Sequence, residues 1–233
     1  MSRIVPKRPG RRVGAFAALA GAVALLALAG GPAGAATKGE ELVEESRFSL
    51  ERMLADPDMP ELKQFLAKAR GVLIIPELVK GSFIFGAEGG SGVLMVRGAD
   101  GTWSAPAFYT LAAGSFGLQA GAQVSEVVFT VMSEGAVEAL LRDEFKLGPA
   151  ARGARGPRGA GAAAPTTTHF SADIYAFSRA VGLFGGGGLE GAKLFSRQRW
   201  NDEYYGSPAP PRAVVIERKF FNPHADPLRQ ALP

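Results

Sequence analysis

The fold turns on one stretch, GVLIIPELVKGSFIFGAEGGSGVLMVRGADGTWSAPAFYTLAAGSFGLQAGAQ, residues 71–123. Within it the apolar period falls to two or gives way to solid apolar runs, the pattern of strands. Residues 72–75 and 82–87 read as strands. Residues 93–97 and 102–109 flank Gly98-Ala99-Asp100-Gly101, a hairpin signal. Residues 116–124 alternate, with Leu118, Ala120, Ala122 and Val124 on one side and Gly117, Gln119, Gly121 and Gln123 on the other. Residues 126–132 are apolar in both registers, as a central buried strand is.

Working outward, residues 38–55 read as an amphipathic helix, with Leu42, Val43, Leu50, Met53 and Leu54 inward and an acidic first turn that suits the dipole. Asp56-Pro57-Asp58 stops it, and residues 60–69 form a second helix with Leu62, Phe65, Leu66 and Ala69 on one face. Ser133 is placed to cap a helix over 134–145. Residues 148–168 are rich in Gly, Ala and Pro, with little apolar surface to bury, and read as a mobile loop. Strand-like segments follow at 171–179, 192–195 and 213–217. The expected fold is α+β, a single domain. Its core is a strand-rich, glycine-rich antiparallel sheet or barrel, with helices at the N-terminal side.

Residues 1–36 read as a signal peptide. A basic segment (Arg3, Lys7, Arg8, Arg11, Arg12) precedes an uncharged apolar run and the small residues of a cleavage site, which implies a periplasmic or secreted product. The domain proper is then 37–233, with 149–168 as its mobile loop. The whole chain carries 26 Lys+Arg against 22 Asp+Glu, but five of those bases and none of the acids precede residue 37. The remainder is close to neutral, so its charge gives no reason to expect a nucleic-acid partner. With no cysteine in the sequence, disulfides, thiolate metal sites and a cysteine nucleophile are excluded.

Several elements, taken in order, resemble the SYLF family: Ile75-Pro76, the run Gly86 to Gly92, Trp103-Ser104-Ala105-Pro106, Gly117-Leu118-Gln119-Ala120-Gly121, Gly182-Leu183-Phe184 and Tyr204-Tyr205-Gly206. These are lipid-binding domains of bacteria and of eukaryotic membrane and actin adaptors. The resemblance runs from about residue 40 to the C-terminus and implies a non-enzymatic lipid binder without cofactor. In eukaryotic members a basic amphipathic segment at the domain's start is implicated in phosphoinositide binding. Here that place holds an acidic helix, and the site is not carried over.

The candidates for chemistry are few. Gly86 to Gly92 and Gly185 to Gly188 invite a phosphate-loop reading, but the glycines lead into strand and no GK[ST] follows. Bulges or close backbone approach account for them better. His169 and His224 stand in no ligand-spaced motif, and no metal site is expected. Glu88, Glu190 and Asp173 are the carboxylates a hydrolase would need to bring together. The basic residues Lys63, Lys68, Arg70 and Lys80 surround the apolar face of the second helix, a combination that suits docking on anionic phospholipid. Arg152, Arg155 and Arg158 form a second basic arm in the loop. An envelope protein partner, held without lipid, is the alternative.

Overall fold

A computed structural model describes residues 36–82, 85–116, 120–142, 165–171, 173–185 and 192–233. The expected leader, except Ala36, lies outside these residues, as does the loop up to residue 164.

Helix α1 (Lys38–Leu54) opens with a reciprocal cap. The Thr37 hydroxyl accepts from the Glu40 N–H while the Glu40 carboxylate accepts from the Thr37 N–H. Helix α2 (Pro60–Lys68) begins on proline, whose missing N–H would be unpaired there anyway. Seven strands follow: β1 (Gly71–Ser82), β2 (Phe85–Val96), β3 (Ala107–Phe116), β4 (Ala120–Val131), β5 (Pro165–Ser171), β6 (Ile174–Gly185) and β7 (Lys193–Ser196). Helix α3 (Glu134–Leu140) lies between β4 and β5, capped by the Ser133 hydroxyl. Helices α4 (Gln198–Tyr205), α5 (Pro211–Val215) and α6 (Asp226–Ala231) complete the chain.

The strands form one antiparallel sheet in the order β5-β6-β4-β1-β2-β3-β7. Among the described residues no pairing joins β5 to β7, so the described sheet is open. Alternation along the strands serves two cores. On one face Leu73, Ile75, Leu94, Tyr109 and Phe129 pack with Val137 and Leu140 of α3 and Val214 and Val215 of α5. On the other, Ile74, Val93, Phe108, Val128 and Phe177 pack under Leu50 and Met53 of α1, Leu62 and Leu66 of α2, and Leu228 of α6.

The central strand carries a proline, which a ladder normally refuses. The register shows why it is tolerated. Between Ile75↔Val127 and Leu78↔Ser125, two residues of β1 face one of β4, and β1 also gains one residue against β2 between Ile74 and Val79. Pro76 and Glu77 are that bulge. It presses on β2, where a Cβ at Gly90 would lie 2.5 Å from the Glu77 carbonyl oxygen and one at Gly92 2.5 Å from that of Ile74. Close backbone approach accounts for these two glycines.

Several expectations are revised. The expected strand 72–75 is part of a longer one, Gly71–Ser82, because the bulge absorbs the proline, and the expected strand 82–87 is divided between the end of β1 and the start of β2. The alternating run 116–124 straddles two strands, β3 ending at Phe116 and β4 starting at Ala120. The turn at Gly98–Gly101 forms, with Gly101 at φ 82°, but Ser104–Pro106 leave the ladder before β3 resumes at Ala107. Residues 165–168, assigned to the loop, are the β-branched start of β5 and pair with β6. The run 213–217 is largely helix α5, nucleated by Pro211 at its first turn, not a strand. Helices stand at the C-terminal side as well as the N-terminal one.

Candidate functional site

Helix α2 places its apolar and basic residues back to back. Leu62 and Leu66 are fully buried, and the Phe65 ring meets Tyr175 at 4.6 Å and Phe177 at 5.4 Å. The 3.6-residue period therefore puts Lys63 and Lys68 on the outward face, where both are exposed, and exposed Arg70 follows at the entry to β1. The apolar face is core. It is not free to enter a bilayer, so any docking here rests on charge alone. Among the described residues Lys63, Lys68 and Arg70 form no ion pair.

Lys80 does not join them. Ten residues of extended strand separate it from Arg70, on the order of 30 Å. It is only 8 % exposed, with its ammonium 3.6 Å from the Glu88 carboxylate across the β1–β2 ladder. Gln123 is its register partner on β4 and donates to the Ser125 hydroxyl at 2.9 Å. Burial raises the Glu88 carboxyl above the usual carboxylate range, and Lys80 offsets part of that rise. Lys80 thus compensates a buried acid rather than facing a membrane. Arg152, Arg155 and Arg158 lie outside the described residues.

Two arginines that sequence reading passed over stand close to Arg70. Arg70, Arg97 and Arg218 all line a pocket of about 230 Å³, with Glu134 and Glu138 on its other wall. The Arg97 guanidinium stacks 4.5 Å from the Trp103 ring centroid and donates to the Leu66 and Pro233 carbonyl oxygens. Burial, then the neighbouring Arg70 charge, hold its pKa below the ordinary guanidinium value. Arg218, in the left-handed region at φ 53°, donates to Thr102 and Val96 and pairs with Asp100. No sequence signal marks these two. They are isolated bases, far apart in the chain, that meet only through the Gly98 turn.

The hydrolase candidates do not assemble. Glu88 is paired at one end of the sheet, whereas Asp173 accepts from the Ser133 hydroxyl at the other, eight residues along β4 and on the order of 25 Å away. Glu190 lies outside the described residues, and His169 and His224 sit in separate elements, β5 and the short 3₁₀ turn Pro223–Ala225. Among the described residues no three His, Asp or Glu side chains converge as a metal site. No described helix is long and apolar enough to cross a membrane. Trp103 and Phe108 are core residues, 5 % and 0 % exposed. Tyr204 and Tyr205, of the Tyr-Tyr-Gly motif, pack edge to face at 4.9 Å, and Gly206 ends α4 in the left-handed conformation.

Residues 112–233 match the family described as Ysc84, Las17-binding protein actin regulator. The chain belongs to the Ysc84, or SYLF, family. Its relatives include Protein YSC84 of Saccharomyces cerevisiae, 36% identical over 170 residues, which are 72% of this chain and 36% of that protein. LAS seventeen-binding protein 3 of the same yeast is 33% identical over 170 residues, 72% of this chain and 37% of its own. The human SH3 domain-containing YSC84-like protein 1 is 33% identical over 150 residues, 64% of this chain and 44% of its own. The chain spans roughly a third to a half of the length of the curated relatives it matches. No solved structure matches it significantly. The family's description is of an actin regulator that binds Las17.

Proposed function

We propose that this Ysc84-family domain is an exported, non-enzymatic module that docks reversibly on anionic phospholipid through Lys63, Lys68 and Arg70. The observation that carries the reading is their disposition: Lys63 and Lys68 exposed on a helix whose apolar side packs on the core, and exposed Arg70 just beyond it, none of the three in an ion pair among the described residues. Each base near an anionic surface contributes about 1 kcal/mol, so the three together give only reversible, salt-sensitive attachment.

The test is co-sedimentation of the full chain with phosphatidylglycerol and with phosphatidylcholine vesicles at low and high salt, beside a Lys63→Gln/Lys68→Gln/Arg70→Gln variant. Binding to the anionic vesicles only, lost at high salt and in the variant, is expected. Equal binding by the variant removes the site, and no vesicle binding at all removes the reading.

A second reading is favoured by one observation, that relatives carry names such as LAS seventeen-binding protein 3. On it the module holds an envelope protein and touches no lipid. A specific protein retained in pull-down by a chain that ignores both vesicles decides for it.

A further inference from the structure

Three of the large apolar side chains that stand exposed, Phe48 (42 %), Val79 (47 %) and Val124 (42 %), lie on the α1 side of the sheet. Val79 and Val124 are direct partners across β1 and β4. Beside them, between α1 and the sheet, opens a groove of about 380 Å³ walled by Glu45, Phe48, Glu77, Val124 and a ring of charged neighbours. Scattered exposed apolar residues mean little, but a contiguous patch rimmed by charge marks an interaction surface.

The charges in this groove fall into two kinds. Arg52 pairs with Glu126, and Arg179 with Glu126 and Asp56, so these four neutralise one another. Arg47, which does not line the groove but stacks on the Phe48 ring at 4.0 Å, is occupied by Glu44 and Glu51. Glu45 and Glu77 have no cationic partner among the described residues. Burial, then Glu77, then Glu41 push the Glu45 carboxyl above its usual range, the response of a carboxylate that lacks a counter-charge. What the groove leaves unanswered is therefore a cation next to apolar surface.

We propose that this groove docks a partner protein segment in which a lysine or arginine is flanked by apolar side chains. The cation enters between Glu45 and Glu77, and its neighbours cover Val79, Val124 and Phe48. This rests on the second reading above and is independent of membrane docking through α2. Charge complementarity selects the occupant. An anionic lipid surface is repelled by the two carboxylates. A second copy related by a two-fold axis would bring the same acids against each other.

The probe is a nine-residue peptide alternating lysine and valine, titrated by fluorescence anisotropy into the full chain, with a glutamate–valine peptide of equal length as control. Saturable binding of the lysine peptide alone is expected. Its Kd should rise about tenfold in Glu45→Gln/Glu77→Gln and again about tenfold in Val79→Ser/Val124→Ser, the loss of a desolvated anchor in each case. All four residues are on the surface or its rim, and an unchanged melting temperature verifies that the variants fold. Lys63→Gln/Lys68→Gln should bind as wild type does. Absence of saturable binding overturns the proposal. So does a loss confined to the acid variant, which is unspecific attraction, and so does concentration-dependent self-association abolished by Val79→Ser/Val124→Ser. A protein partner retained undiminished by both groove variants places the interaction elsewhere and leaves the second reading standing.

Discussion

The two ends of the sheet are built on different physics. At the end holding Leu73, Ile74, Val93, Leu94, Val128 and Phe129, helices cover both faces and every one of these side chains is at most 2 % exposed. At the other end, past the Pro76–Glu77 bulge, the same strands carry Lys80, Glu88 and Gln123 on one face and exposed Val79 and Val124 on the other. The first end is held by side-chain volume. Among the described residues, the second is held by backbone proximity and by the Lys80–Glu88 ion pair across its ladder. Buried core and exposed apolar surface are thus separated along the strands, not between layers.

The contrast can be broken most forcefully at the covered end. Leu66→Ala empties a site with no solvent access and should cost about 3 to 4 kcal/mol, read as a shift in the denaturant midpoint. A loss under about 1 kcal/mol would mean that α2 is only loosely attached to the sheet. Next is the ion pair. Lys80→Met leaves Glu88 buried without its cation and should cost about 3 kcal/mol near neutral pH, whereas Lys80→Met/Glu88→Leu should return close to wild type. The pH dependence has a definite sign. Burial raises the folded-state pKa of Glu88, so the folded chain holds that proton more tightly than the unfolded one. Stability linked to this group is greatest below the ordinary value of 4.5 and falls as pH rises through the raised pKa. The Lys80→Met variant, having lost the offsetting charge, should therefore recover on acidification, and a penalty independent of pH would show that the pair does not matter electrostatically. The smallest effect sharpens the backbone side of the contrast. Gly90→Ala drives a methyl against the Glu77 carbonyl and should cost about 2 kcal/mol with no cavity or charge involved. Tolerance of that methyl would make the bulge a soft feature.

Much of the covered end was legible in the sequence because it obeys local rules. The apolar periods of α1 and α2 and the run 126–132 state their own partners, and Ser133 announces its helix. The far end was harder. Read from sequence, the strand ends at Ile75, before Pro76, and only the registers with β2 and β4 show the extra residue that lets the strand continue. Lys80 carried the right charge for a membrane surface, but its burial depends on Glu88, eight residues further along and across a hairpin. The sequence QRWNDEYY gives α4 little apolar period to read, since its inward residues are Asn201, which accepts from the Phe108 N–H, and Tyr204. Long-range partners of polar residues leave no periodic trace, and that is what local pattern cannot supply.

The strand order also governs how the domain can be cut. The family match begins at residue 112, within β3, and so includes β4, β5, β6 and β7 but neither β1 nor β2. Those two strands lie in the middle, with β4 on one side and β3 on the other. A fragment starting at 112 would be two separated flanks without a centre, and β4 would present a full unpaired edge to any other chain in solution. The half matched by the family model therefore lacks the centre of its own sheet, which the N-terminal portion supplies.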